Sequence, residues 1–188
     1  MGGGGRGANV HYPLIKTKEI IALAPMVQEL AEDNAHLYLW TTNNFLPDAL
    51  EVMKAWGFRY VTTITWIKNR MGLGQYFRGL TEHCLFGIRG KLPYKVIDGK
   101  RQQGKTGFFE KKREHSRKPV QMREMIEKVS YPPFIELFAR ERFDGWDAWG
   151  NEICFTGKTK AADRSTSASV NQTVQMNPVE DARKASTS

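Results

Sequence analysis

The chain has 188 residues, 40% of them hydrophobic, and carries a formal net charge of +8. That length bounds it to about one α/β domain with its own core. No apolar run reaches the roughly 20 residues of a membrane span, and the Gly-rich start lacks a signal peptide's apolar core. A cytoplasmic chain that does not contact membrane is therefore expected. Cys84 and Cys154 stand far apart outside any CxxC pair, which argues against a zinc site and against a disulfide framework.

In chain order, residues 16–31 predict one or two short helices interrupted at Pro25. Residues 35–41 predict a buried strand. A second amphipathic helix follows, with Leu46, Leu50 and Met53 on one face, Pro47 in its first turn and Gly57 just past its end. Phe58 to Ile67 and His83 to Ile88 predict two further strands. Near the carboxyl end, Pro119 suits the first turn of a helix whose Met122, Met125, Ile126 and Val129 fall at i, i+3, i+4 and i+7. Phe134 to Phe138 and residues 147–152 then predict two strands, with Glu152 lying 16 residues beyond Glu136. That spacing is near the one at which an acid after the second strand of a nucleotide-binding fold accepts ribose hydroxyls. The order of elements favours an α/β sheet layered by helices. From Thr156 to Ser188 there is no aromatic residue, and Ser, Thr, Asn and Lys dominate. The expectation is a domain at 1–155 and a disordered tail at 156–188.

The charge is concentrated. Between Arg89 and Lys118 stand eleven Lys or Arg against three acids, a local excess suited to nucleic-acid phosphates, or else to a solvated loop. Within it, GKRQQGKT at 99–106 matches the P-loop pattern GxxxxGK[ST], with Lys105 and Thr106 in the phosphate and magnesium roles. A P-loop needs a strand before it and a helix opening at the Lys. Gly107 stands where that helix should begin, so nucleotide binding here is a minor alternative. Gly72 and Gly74 make a GxG without a following helix. The four histidines show no ligand spacing and suit structural or substrate contacts.

Five stretches together resemble the adenine-N6 methyltransferases, a family that includes the catalytic subunit of the eukaryotic mRNA methylation complex and phage and bacterial DNA adenine methyltransferases. They are GRGANVHYPLIKTKEI, HLYLWTTNNFLPDALEVMKAWGFRYVTTITWIK, GLGQYFRGLTEHCLFGIRG, REHSRKP and IELFARERFDGWDAWGNEI, nearly all of residues 4–153. The resemblance implies a Rossmann-like fold dependent on S-adenosylmethionine, which transfers methyl to adenine N6 in DNA or RNA. It also implies a cofactor site of Glu136, Leu137, Phe138, Arg140 and Arg142, with Asn151 and Glu152 at the ribose and adenine end. On the substrate side it implies His11 and Tyr12 in one loop and Tyr76, Arg78 and Glu82 in another, where an aromatic ring can stack on a flipped base. The family's Asp-Pro-Pro-Trp is expected just upstream of GGGGRGA and does not occur in the chain. SYPPF at 130–134 lacks the acid and matches the family's turn into IELFAR. The implied molecule is thus a truncated or inactive family member without its central strand, leaving a slot or a non-native closure between strands 134–138 and 35–41. A non-catalytic nucleic-acid-binding partner subunit is the alternative.

Overall fold

The computed structural model describes residues 15–91, 94–112, 118–150 and 172–179, the last as backbone. All seven residues of β1 (Ala35–Thr41) are buried. A strand buried on both faces needs a layer on each side. One layer is made by α1 (Thr17–Ile21), α2 (Ala24–Leu30) and α3 (Leu46–Ala55), the other by α4 (Val120–Val129). The break before Pro25 falls as expected, with the proline in the first turn of α2. Arg89 closes the carboxyl end of α2 by donating to the carbonyls of Gln28 and Ala31 at 3.0 and 3.2 Å, groups a helix end leaves without internal partners. On α3 the buried face is Ala49, Val52 and Met53. Leu50, expected inside, is 40% exposed, because the stripe 49, 52, 53, 56 ending on buried Trp56 lies one position round from it.

The strands are β2 (Arg59–Ile67), β3 (Thr81–Arg89), β6 (Gly107–Phe109), β7 (Phe134–Leu137), β8 (Trp146–Trp149) and β9 (Gln172–Val179), with a separate hairpin of β4 (Val96–Ile97) and β5 (Lys100–Arg101). The main sheet has seven strands in the order β6-β2-β3-β1-β9-β7-β8. β3 runs antiparallel to β1 and β2, while β9 is parallel to both β1 and β7, and β7 to β8. Leu37, Leu39, Leu85 and Leu137 cluster with Ile20, Val27, Val52, Met53 and Trp56 of the three-helix layer. Tyr38, Trp40, Cys84, Trp66 and Phe134 cluster on the other face with Met122 and Ile126 of α4. The mixed α/β sheet agrees with the Rossmann-like expectation.

Two expectations change here. Residues 172–179, read as part of a disordered tail, form β9 in the middle of the sheet. Composition averaged over 33 residues hides one short stretch that can be stabilised by pairing with two strands at once. Of the two outcomes expected between 134–138 and 35–41, a slot or a closure, this segment gives the closure. The P-loop alternative fails: Asp98 and Gly99, both at positive φ (49° and 72°), turn the β4–β5 hairpin. Thr106 then accepts from the Thr65 amide at 2.8 Å and leads into β6. Residues 99–106 therefore run from a hairpin turn to a strand, with no helix N-terminus to face phosphates.

Candidate functional site at the carboxyl edge of the sheet

Parallel strands end together, and ligands of open α/β sheets bind beyond their carboxyl ends. Here β1, β7, β8 and β9 end on one edge, joined by the loops after Thr41, Ile67 and Leu137. The chain turns sharply after β7. Phe138 takes φ 57°, and the Ala139 amide donates to the Trp149 carbonyl at 2.9 Å. Phe138 meets Trp149 edge to face, centroids 5.4 Å apart. A Cβ at Gly150 would collide with the Ala139 backbone, so only glycine permits this approach.

Of the expected cofactor residues, Leu137 is fully buried in the core beneath this turn. Phe138 and Arg140 stand in the turn, half-buried, and Arg142 follows, exposed. Glu136 is buried and accepts from Arg123 of α4 at 3.2 Å, so this oxygen is committed to the helix layer rather than to the edge. Asn151, Glu152, His11 and Tyr12 lie outside the described residues.

The loop between β2 and β3 carries Tyr76 and Phe77, which are 93% and 90% exposed. Arg78 folds back to donate to the Gly72 carbonyl at 3.1 Å. Glu82 differs from both. Its two oxygens take Lys68 at 2.7 Å and Lys118 at 2.8 Å. Burial by itself would raise its carboxyl, but Lys118 and Lys68 outweigh burial and hold it at about 2. Both lysines also sit over indole rings, Lys118 at 4.9 Å from Trp40 and Lys68 at 5.4 Å from Trp66. Glu82 is thus a fixed anion at the base of the exposed loop.

Beside it lies a group that sequence reasoning missed. Asn43, just past β1, accepts from His83 Nε2 at 2.6 Å and donates to Thr81 Oγ1 at 3.2 Å. His83 Nε2 therefore carries the proton, and Nδ1 accepts from Thr65 Oγ1 at 3.1 Å. Burial lowers the His83 pKa, against the pull of Glu82, so the ring stays neutral. The signal was within reach: Asn43 follows a predicted strand, and His83 opens another. Only the antiparallel register, pairing Thr41 with His83, brings them together.

The basic segment divides. Lys91, Lys100, Arg101, Lys105, Lys111 and Lys112 are exposed. Arg89 serves α2, Lys118 serves Glu82, and Lys95 donates to the Glu127 carbonyl at 2.6 Å. Glu110 accepts from the first amides of α4, Val120 and Gln121, both at 3.0 Å, a carboxylate at a helix N-terminus supplied from just past β6. Under the 94–106 segment, toward the amino half of β1, lies a cavity of about 270 Å³ floored by His36, Tyr38 and Phe86.

A model of the MT-A70 family matches residues 5–152. The type II methyltransferase M.MunI of a Mycoplasma species is 34% identical over 149 residues, covering 78% of this chain and 61% of that protein. A putative N(6)-adenosine-methyltransferase MT-A70-like protein of Medicago truncatula is 31% identical over 62% of the chain and 20% of its own length. The human N(6)-adenosine-methyltransferase catalytic subunit METTL3 is 29% identical over 65% of the chain and 22% of its own length. The chain thus spans about three fifths of the bacterial relative and about a fifth of the eukaryotic ones. With the family's region covering both helical layers and every strand of the main sheet but β9, the chain belongs to the MT-A70 family.

Proposed function

We propose that this chain forms the cofactor- and substrate-binding framework of an S-adenosylmethionine-dependent methyltransferase acting on adenine N6 in DNA or RNA. The observation that carries the reading is the family match over residues 5–152 falling on a sheet whose parallel strands open on one edge. The edge suits the cofactor's chemistry in its described part: aromatic surface from Phe138 and Trp149, and a backbone turn that a glycine keeps open. Since Glu136 is engaged by Arg123, we assign the ribose hydroxyls to Asn151 and Glu152, where a carboxylate makes charge-assisted hydrogen bonds. When bound, the cofactor supplies an electrophilic methyl on sulfur. Tyr76 and Phe77, exposed on the neighbouring loop, offer rings on which a base can stack, worth about 1–3 kcal/mol each. The fixed Glu82 anchors that loop. Exposed Lys111 and Lys112 give phosphates a sequence-independent contact.

Calorimetry with S-adenosylmethionine on the wild type, Asn151→Ala and Glu152→Ala tests the cofactor assignment. Binding to the wild type that both substitutions weaken is expected; binding that neither changes puts the site elsewhere. Methyl transfer to adenine-containing DNA and RNA is then measured for the 188-residue chain and for a chain extended upstream by an Asp-Pro-Pro-Trp segment. We expect activity in the extended chain, and its absence from both would defeat the reading.

A further inference from the structure

The cavity beneath the 94–106 segment lies apart from the carboxyl edge, and the segment over it is tied down at both ends. Lys95 donates from its backbone amide to the Val129 carbonyl at 3.4 Å and from its side chain to the Glu127 carbonyl at 2.6 Å, and the Val96 amide donates to Tyr131 Oη at 3.0 Å. At the other end the Thr106 carbonyl accepts from the Thr65 amide. Between these anchors Gln103, Gly104 and Lys105 line the cavity and stay exposed. Its volume of about 270 Å³ falls just under the roughly 300–1,000 Å³ of sites for drug-sized ligands. It suits one ring system rather than a whole cofactor.

Its chemistry narrows the occupant further. The floor is aromatic: the rings of Tyr38 and Phe86 lie 5.0 Å apart, and His36 meets Phe86 edge to face at 5.1 Å. The rim is cationic. Arg101 lies 3.7 Å over the Tyr94 ring and donates to its hydroxyl, Lys105 is exposed, and no Asp or Glu lines the cavity. The floor also holds an unmet polar group. Burial lowers the His36 pKa to about 4 and keeps the ring neutral at pH 7, so His36, Ser130 and Tyr38 bring one polar hydrogen each. Ser130 Oγ meets His36 Nδ1 at 2.7 Å and Tyr38 Oη at 2.8 Å, which uses two of them. One hydrogen is left over, and His36 Nε2 has no partner among the described residues. A buried polar group in that state calls for an answering atom.

Charge links this cavity to the exposed aromatic loop. Lys105 precedes β6, Lys111 and Lys112 follow it, and all three are exposed. The Lys112 amide donates to Asn69 Oδ1 at 2.8 Å, which sets it at the foot of the loop carrying Tyr76 and Phe77. On β3, Glu82 and Phe86 are four residues apart, so they share a face and are separated by about 13 Å.

We propose that the cavity is a second nucleotide subsite, taking one nucleotide of the bound strand away from the target base. The base stacks against Phe86 and Tyr38, a polar atom on its edge answers the His36–Ser130–Tyr38 group, and the adjoining phosphate pairs with Arg101 and Lys105. The β6 lysines carry the phosphates between this subsite and the carboxyl edge. A free nucleotide would leave Lys111 and Lys112 without a part, which is why a strand is the better occupant. The proposal deepens the nucleic-acid part of the methyltransferase reading and rests on it.

The test irradiates the full chain with short single-stranded DNA or RNA carrying 5-iodouracil and maps the attachment points by mass spectrometry. Labelling of Tyr94, Tyr38 or Phe86 is expected in addition to the 68–80 loop. It should vanish in Thr62→Trp, which fills the cavity from β2, and persist in Thr62→Ser. By fluorescence anisotropy Thr62→Trp should weaken strand binding about tenfold, the scale of one lost base–aromatic stack, with an unchanged salt dependence. Arg101→Glu combined with Lys105→Glu should weaken binding and also flatten the salt dependence. Adenosine monophosphate, titrated alone, separates the two sources: its binding at the cavity while the strand leaves the cavity unlabelled overturns the strand assignment. Labelling confined to the 68–80 loop, or Thr62→Trp binding and labelling like the wild type, overturns the subsite and leaves the methyltransferase reading standing. Should Thr62→Trp not fold, the labelling map of the wild type decides alone. A wild type that binds no strand overturns the subsite as well, while S-adenosylmethionine calorimetry reports on the cofactor reading independently.

Discussion

The β2–β3–β1 part of the sheet and the β7–β8 part are built on different principles. The first is antiparallel and formed from the near-contiguous run 35–89, with each strand next in the chain lying close by. The second is parallel, its strands are four residues long, and its only route to β1 within the described sheet is a segment from far along the chain. Local antiparallel pairing closes short loops at small entropic cost, whereas parallel pairing across long crossovers must order more chain before any contact forms. The difference implies a firm half and a half that opens first. The carboxyl edge lies across both.

The largest effect should come from the firm half. Leu37→Ala removes a fully buried side chain and should cost about 2–5 kcal/mol, read by chemical denaturation as a loss shared by all elements. A loss confined to β1 would break the comparison. Next, Glu82→Gln leaves two largely buried lysines without their anion and should cost on the order of 3 kcal/mol. The sign with pH is definite. The unfolded carboxyl titrates near 4.5 and the folded one at about 2, so the contribution is complete above about 4.5 and is lost as pH falls from there to 2. In Glu82→Gln that part of the stability curve should flatten.

His36 acts at a higher pH and in the same direction. Burial lowers its pKa from 6.5 to about 4, so the unfolded chain binds this proton more readily and stability falls between pH 6.5 and 4. Ser130→Ala should be comparable to a buried hydrogen-bond loss, about 1–3 kcal/mol. Its hydroxyl meets His36 Nδ1 at 2.7 Å and Tyr38 Oη at 2.8 Å, and it ties α4's end to β1. A value near zero in denaturation would mean that water replaces the hydroxyl. Leu50→Ala is the smallest, below about 0.5 kcal/mol, because the side chain is substantially exposed. A cost above 1 kcal/mol would restore it to the core.

Hydrogen exchange sharpens the comparison most directly. Amides of β7 and β8 should exchange through an opening of lower free energy than those of β1 and β3. Equal values would make the sheet one cooperative unit.

Periodicity and turn chemistry made β1, β2, β3, α3, α4, β7 and β8 legible within a few residues, since each is dictated by which neighbours along the chain can share a face. The resemblance rested on the same contiguous stretches, and the family match covers them. Three things were decided only by the tertiary structure. The resemblance set Glu136 in the cofactor site and Glu82 in a substrate loop, but packing gave one to Arg123 and the other to two lysines. Asn43 and His83 lie 40 residues apart and meet only through the β1–β3 register. Gln172–Val179, poor in aromatic residues and carrying a proline, has little reason to be a strand by itself. The edges of β1 and β7 supply the backbone pairing that its local sequence does not call for.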